Sequence, residues 1–221
     1  MLNQSCIMCK QRSSAVLCVT CSKDIVISIK SPPSPSHPLL VDMQTIVAAN
    51  NITVLGWYQW PIDTLIHLIK FKQRVGFCRL LSHGFIRYAL PTHDLPSVII
   101  PMPSSWWKSM CRGYNTPSIL SQMLGKKLNI PLLNNYLKVG LTATSQHHLS
   151  RTKRIDKHHG FYCSSNKPRL THVALVDDVI TTGSTMRSAI KALRQYNPDL
   201  RISVWCMGMT SLDGINPSSL T

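Results

Sequence analysis

The sequence predicts an α/β fold, a mostly parallel sheet flanked by helices, with a small four-cysteine module at its N-terminus. Three observations predict it. Short apolar runs ended by prolines or polar turns alternate with segments whose apolar residues recur at helical spacing. An apolar run, Val173–Val176, leads into two adjacent aspartates and a hydroxyl-rich turn, after which a new helical stripe begins. Four of the eight cysteines fall within the first 21 residues.

The head comes first. Cys6-x2-Cys9 and Cys18-x2-Cys21 are two CxxC pairs with eight residues between them. Two such knuckles bring four thiolates into a tetrahedron, which Zn²⁺ accepts in closed structural sites. A segment of 30 residues buries too little apolar surface to order itself, so the metal supplies its folding energy. A redox CxxC or unpaired core thiols are the alternatives. The scattered Cys78, Cys111, Cys163 and Cys206 read as small buried apolar residues. Residues 31–38, SPPSPSHP, are a linker that neither helix nor central strand accommodates well. The expected division is a zinc module over 1–30, a linker over 31–38 and an α/β domain over 39–221.

Along that domain, Pro61 suits the first turn of a helix carrying Ile62, Leu65, Ile66 and Ile69. A second helix is expected near 76–90, with Phe77, Leu80, Leu81, Phe85 and Tyr88. Ser97–Ile100 reads as a short buried strand ended by Pro101 and Pro103. Residues 116–128 read as a helix, His172–Val176 as a strand, and Met186, Ala189, Ile190 and Leu193 as the inner stripe of a further helix. Arg201–Met207 closes the pattern as a strand, while 138–170 has no clear period and reads as a hairpin or loop.

Composition bounds the chemistry. The 221 residues carry 24 Lys+Arg against 9 Asp+Glu, all nine of them aspartate, for a formal net charge of +15. Glutamate-based chemistry is excluded, and the excess charge favours anionic partners: phosphorylated metabolites, nucleic acid or a membrane surface. A 44% apolar fraction argues against a disordered chain despite the high net charge. The first twenty residues hold no apolar run long enough for a signal-peptide core, and Met43–Ile62 is too interrupted to span a membrane. A cytoplasmic protein with reduced thiols and no membrane insertion is expected.

The most informative segment is Val173–Thr185. Its strand delivers Asp177 and Asp178 towards the carboxyl end, where open α/β sheets place ligands. Thr181, Thr182, Gly183, Ser184 and Thr185 then lead into a helix N-terminus, an anion site made of exposed N–H groups and the helix dipole. Carboxylates for sugar hydroxyls beside amides for a phosphate suit a phosphorylated ribose. No GxxxxGK[ST] occurs, which excludes a P-loop. An Asp/Thr-rich turn that merely caps a helix would not need two aspartates, whose desolvation is costly.

This segment resembles the phosphoribosyl-diphosphate (PRPP) signature of type I phosphoribosyltransferases at every position. Together with the cysteine head, the chain resembles the ComF (ComFC/GntX-like) family of that superfamily, associated with natural transformation. Ile69-Lys70-Phe71-Lys72, Pro101-Met102-Pro103, Arg112-Gly113-Tyr114-Asn115 and Gln146-x2-Leu149-Ser150-x3-Arg154 carry the likeness further. The resemblance implies a type I phosphoribosyltransferase fold with Asp177 and Asp178 on the ribose hydroxyls, directly or through Mg²⁺. It implies residues 181–185 on the 5′-phosphate, with Lys108 and Arg112 near the pyrophosphate. It also implies handling of incoming single-stranded DNA, with a DNA-uptake helicase or recombination protein as partner. The chain departs from the family pattern at Thr116, Lys157 and Gly160-Phe161-Tyr162, in regions expected to meet a second substrate or partner. Thr181 stands where purine-salvage relatives often carry an aspartate, so a purine acceptor is not implied.

The cations cluster. Residues 138–169 hold seven Lys/Arg and one acid, Asp156, with His147, His148, His158 and His159 among them. Lys70, Lys72, Arg74, Arg79 and Arg87 form an acid-free run, and Arg187, Lys191 and Arg194 share one helix face. Solvated faces are the usual fate of such runs. Single-stranded nucleic acid would use them with Trp57, Trp60, Trp106 or Trp107 as stacking platforms, although core positions suit the first pair equally. The two functional readings are therefore a Mg·PRPP-dependent phosphoribosyltransferase and a non-catalytic, zinc-containing adaptor that binds nucleic acid on the same scaffold.

Overall fold

The computed structural model describes residues 4–38, 40–41, 49, 51–103, 113–140, 160–164 and 169–210. In chain order the elements are β1 (Gln4–Ser5), β2 (Arg12–Ser13), α1 (Val19–Ile29), β3 (Asn51–Val54), α2 (Ile62–Lys72), α3 (Phe77–Gly84) and β4 (Val98–Pro101). After them come α4 (Thr116–Leu128), β5 (Leu137–Val139), β6 (Phe161–Cys163), β7 (His172–Ile180), α5 (Ser184–Tyr196) and β8 (Arg201–Met209). Among the described residues the central sheet has four strands in the order β3-β8-β7-β4, and every neighbouring pair is parallel. The expected parallel sheet flanked by helices is present.

The sheet is covered on both faces, as parallel sheets require. Alternate residues of β7 enter different layers. Val173 and Leu175 pack with Met186, Ala189, Ile190 and Leu193 of α5. Ala174 and Val176 pack with Ile62, Leu65, Ile66 and Ile69 of α2, Leu81 of α3 and Leu120 and Leu124 of α4. Among the described residues Trp205 of β8 is the largest fully buried side chain, and it leans on Phe85 with ring centroids 5.7 Å apart.

Helices α2 and α4 lie where helical spacing predicts them. The helix expected near 76–90 is α3, followed by a π-turn over Phe85–Ala89. Three elements differ from the sequence reading. Val19–Ile29 is a helix despite a β-branched composition that disfavours one. Burial of Cys21, Ile25 and Ile29 in the same cluster as Leu55 and Ile62 decides it. Asn51–Val54 is a strand because β8 offers it a full parallel register from Ser203 to Cys206. Strand β7 runs past Val176 to Ile180, because β8 continues beside it while β4 stops at the Pro101–Val176 pair. Strands β5 and β6 form an antiparallel pair at the ends of the 138–170 region. Among the described residues, no helix is long and apolar enough to cross a membrane.

Candidate functional site

The unequal lengths of β4 and β7 create the site. One side of β7 is paired up to Val176 and then opens, and the next two residues are Asp177 and Asp178. A cavity of about 270 Å³ lies there, lined by Asp177, Asp178, Thr181, Gly183 and Thr185 together with Tyr58 and Lys70. Five of the seven residues singled out around the acidic strand end thus meet in one cavity. Thr182 and Ser184 do not line it. They bind each other at 3.1 Å, and the Thr182 carbonyl accepts from Arg187 Nη2 at 3.0 Å. Lys108 and Arg112, expected near a pyrophosphate, lie outside the described residues, as do Cys111, Trp106, Trp107 and the four histidines between 147 and 159.

Gly183 sets the turn into α5. Its φ of +73° is in the left-handed region that favours glycine, and it is the residue from which α5 starts. With no acid in the first turn of α5, the amide end of the helix faces the cavity without an internal counter-anion.

Lys70 has a place that sequence reasoning did not assign. Its Nζ donates to Asp178 Oδ1 at 2.6 Å, with only 19% of the lysine side chain and 10% of the aspartate side chain exposed. The neighbouring carbonyl, Ile69, accepts from the Tyr114 hydroxyl, and Asn115 Nδ2 donates to the Met102 carbonyl at 2.9 Å. Hydrogen bonds thus tie the three motif segments at 69–72, 101–103 and 113–115 to one another, and Lys70 of the first lines the cavity. The signal in the sequence was a lysine on the polar flank of an otherwise apolar helix face, and only the packing of α2 against β7 reveals its partner. Thr116 is buried at the start of α4, so its departure from the family pattern faces the interior rather than the cavity.

The two aspartates are electrostatically unequal. The backbone N–H of Asp178 donates to Asp177 Oδ1 at 2.8 Å. Burial, and then the charge of Asp178, push the Asp177 carboxyl up to about 8, against the opposing pull of that N–H and of Lys70. A ligand that brings positive charge to this carboxylate relieves both costs. A divalent cation or sugar hydroxyl donors fit this donor set.

The head forms a second site. Cys6 and Cys21 sulfurs are 3.7 Å apart, as are those of Cys9 and Cys18, and all four lie within 4.8 Å of one another. A tetrahedron of about 2.3 Å metal–sulfur bonds has edges of about 3.8 Å. The four thiols therefore could hold one metal ion with little movement. Strands β1 and β2 close the first knuckle, and Cys18 caps α1, accepting from the Cys21 N–H at 3.4 Å. Burial opposes a Cys6 thiolate, but N–H groups of Cys18, Cys9 and Met8 outweigh it and bring the thiol down to about 6. Burial and the neighbouring sulfurs push Cys21 up. Cys78, Cys163 and Cys206 are free and buried, as expected.

Comparison with known proteins follows this geometry. The chain is 36% identical over 164 residues to Competence protein F of Haemophilus influenzae, covering 71% of each. The chain belongs to the competence protein F family. That is the ComF family which the PRPP-type segment and the cysteine head resemble. Other relatives are the DNA utilization protein YhgH of Escherichia coli O157:H7, 26% identical over 93% of this chain and 90% of that one, and its counterpart in Salmonella typhimurium, 31% identical over 69% of each. No family profile matches the chain. Among solved structures, an adenine phosphoribosyl transferase from Trypanosoma brucei aligns over 68% of this chain and 73% of its own, at 11% identity and a TM-score of 0.40. For orotate phosphoribosyltransferase from Aeropyrum pernix the TM-score is 0.36, with 17% identity over 65% of this chain and 66% of that one. The architecture of this family member accordingly rests on its own strand order and register.

Proposed function

We propose that the chain is a PRPP-binding, phosphoribosyltransferase-like protein of natural competence that handles incoming single-stranded DNA in the cytoplasm. The observation that carries this reading is the meeting of Asp177, Asp178 and the open N-terminus of α5 in one cavity at the carboxyl end of β7. In a chain related to proteins named for competence and DNA utilization, that combination suits a phosphorylated ribose better than a capping turn.

In this reading Thr181, Gly183 and Thr185 hold the 5′-phosphate, with Thr182 and Ser184 stiffening the loop. Asp177 and Asp178 accept from the ribose hydroxyls and fix the anomeric carbon relative to the leaving pyrophosphate. Lys70 lies beside Asp178, near enough to serve a negatively charged group entering the cavity. Lys108 and Arg112 are proposed to face the pyrophosphate. Asp177 and Asp178 would hold Mg²⁺, which supplies charge neutralisation for the departing pyrophosphate when bound. Zn²⁺ is the proposed occupant of Cys6, Cys9, Cys18 and Cys21, in a structural role. A module over 1–30 and a linker over 31–38 remain the proposed division. The free thiols suit a reducing compartment.

A second reading, a non-catalytic adaptor that binds PRPP as a sensor and contacts DNA, a helicase or a recombination protein, is favoured by one feature. Thr181 supplies no carboxylate to deprotonate an acceptor. Calorimetry with Mg·PRPP tests the shared premise: wild type binds, and the Asp177→Ala/Asp178→Ala variant does not. Equal binding by both, or none by wild type, removes the PRPP reading. Pyrophosphate release from PRPP against a panel of bases and single-stranded DNA then separates enzyme from adaptor.

A further inference from the structure

The geometry points to a nucleobase pocket between the head helix α1 and the chain entering α2, built on Trp60 and Trp57 and taking one unstacked base of single-stranded DNA. This inference rests on the DNA-handling reading and names a surface for it.

A cavity of about 290 Å³ is lined by Trp57, Gln59 and Trp60 on one wall and by Asp24, Ile27 and Ser28 of α1 on the other. Trp60 is 43% exposed, an expensive state for an indole, yet it is not free to turn. Its Nε1 donates to Asp24 Oδ2 at 3.1 Å, across 36 residues of sequence. Trp57 is half-buried, packs on the α5-side core and meets His37 edge to face at 5.2 Å. Both indoles are thus held in place before any ligand arrives, which removes much of the ordering cost of stacking.

The wall itself is rigid. Tyr58 N–H donates to the Met209 carbonyl at 2.7 Å, and Met209 N–H donates to the Gly56 carbonyl at 3.1 Å. Gly56 lets α2 come close, because a Cβ there would collide with the Ile62 side chain, while the Ser28 carbonyl oxygen of α1 would lie at an ordinary contact distance of 3.4 Å. Side chains alternate along this segment. Trp57 and Gln59 line this cavity, while Tyr58 between them lines the cavity of Asp177 and Asp178. The two cavities share one wall.

Flat apolar faces ringed by a carboxylate, an amide and a serine hydroxyl match a heteroaromatic ring with hydrogen-bonding edges. Lys23 on α1 and Lys30 at its C-terminal cap are exposed on either side of Ile27 at helical spacing, offering cations for the phosphates flanking the base. A carboxylate accepts from the exocyclic amine of cytosine, whereas thymine offers only a ring N3–H set between two carbonyls that repel the carboxylate, so Asp24 favours cytosine over thymine.

The test is fluorescence anisotropy of the full-length, zinc-loaded chain with labelled dC and dT oligonucleotides and an abasic strand of equal length, over a range of salt. Wild type is expected to bind dC more tightly than dT, and both more tightly than the abasic strand. Trp60→Ala should lose about ten-fold in affinity for dC while keeping the same salt slope, because stacking is lost and phosphate contacts are not. Trp60→Phe should keep most of the affinity, and Asp24→Asn should abolish the preference for dC. Unchanged Mg·PRPP binding reports that each variant is folded. Equal affinity for the abasic strand, or an unaffected Trp60→Ala, overturns the pocket while leaving DNA handling intact. A proline-rich peptide that quenches Trp60 where oligonucleotides do not overturns it too. No binding of any oligonucleotide at low salt removes the DNA reading itself.

Discussion

Lys70 and Asp178 are joined by a 2.6 Å ion pair that links α2 to the open end of β7, 108 residues apart in sequence. Neither side chain is more than one-fifth exposed, so each is the other's main compensation for burial.

Removing one partner leaves the other buried and uncompensated. Lys70→Met is expected to cost about 3 kcal/mol of stability, and Asp178→Asn in the same chain to restore part of that loss. Urea denaturation of the two single variants and the double variant measures the coupling. Simple additivity would show that the pair contributes nothing to the fold.

At Gly183 the left-handed φ is part of the loop that turns into α5. Gly183→Ala should cost about 1 kcal/mol through backbone strain alone and should weaken Mg·PRPP binding more than it weakens the fold. Calorimetry and thermal melts on the same samples separate the two effects. Unaltered binding would mean the loop does not close on a phosphate.

The Asp177 carboxyl carries a pH signature. Burial and Asp178 raise it to about 8 in the folded chain, whereas the unfolded chain releases this proton near the ordinary aspartate value of 3.8. Between those values the native state binds more protons than the unfolded state. Stability from this group is therefore full below the unfolded value and declines as pH rises towards the folded one. Asp177→Asn should flatten that decline in thermal melts between pH 5 and about pH 8, against wild type at the same ionic strength. An identical slope in both proteins would contradict it.

Metal removal should unfold the head selectively. Chelation, or Cys6→Ser or Cys21→Ser, is expected to abolish zinc binding and the helicity of α1, because α1 is capped by Cys18 and buries Cys21. Ile25 and Ile29 would then leave the core they share with Leu55 and Ile62. Zinc stoichiometry and circular dichroism measure this. Cys78→Ser serves as the control, since Cys78 lies outside the cluster and should leave the zinc content unchanged.

Local chemistry was legible in the chain. Two CxxC pairs announced the four-cysteine cluster because spacing alone constrains a tetrahedron, and the Asp177-Asp178 and Thr181–Thr185 run announced its site because strand, turn and helix start are consecutive there. Helices α2, α4 and α5 showed their stripes because each buries one face. Other features depended on partners distant in sequence. Helix α1 and strand β3 have poor local signals and exist because Leu55, Ile62 and β8 cover them. The run of β7 past Val176 depends on the lengths of β4 and β8, which β7 itself does not encode.

By itself the sequence determined which groups are present: nine aspartates, no glutamate, a net charge of +15, four paired thiols and one acidic strand followed by a hydroxyl-rich turn. Tertiary structure alone decided which of them meet. It set Lys70 against Asp178, put Tyr58 and Trp57 into adjoining cavities, and pinned Trp60 to Asp24. The physical reason is that ion pairs, cavities and stacked rings act over a few ångströms. Residues 36 or 108 positions apart come within that range only when the sheet and its helices have packed.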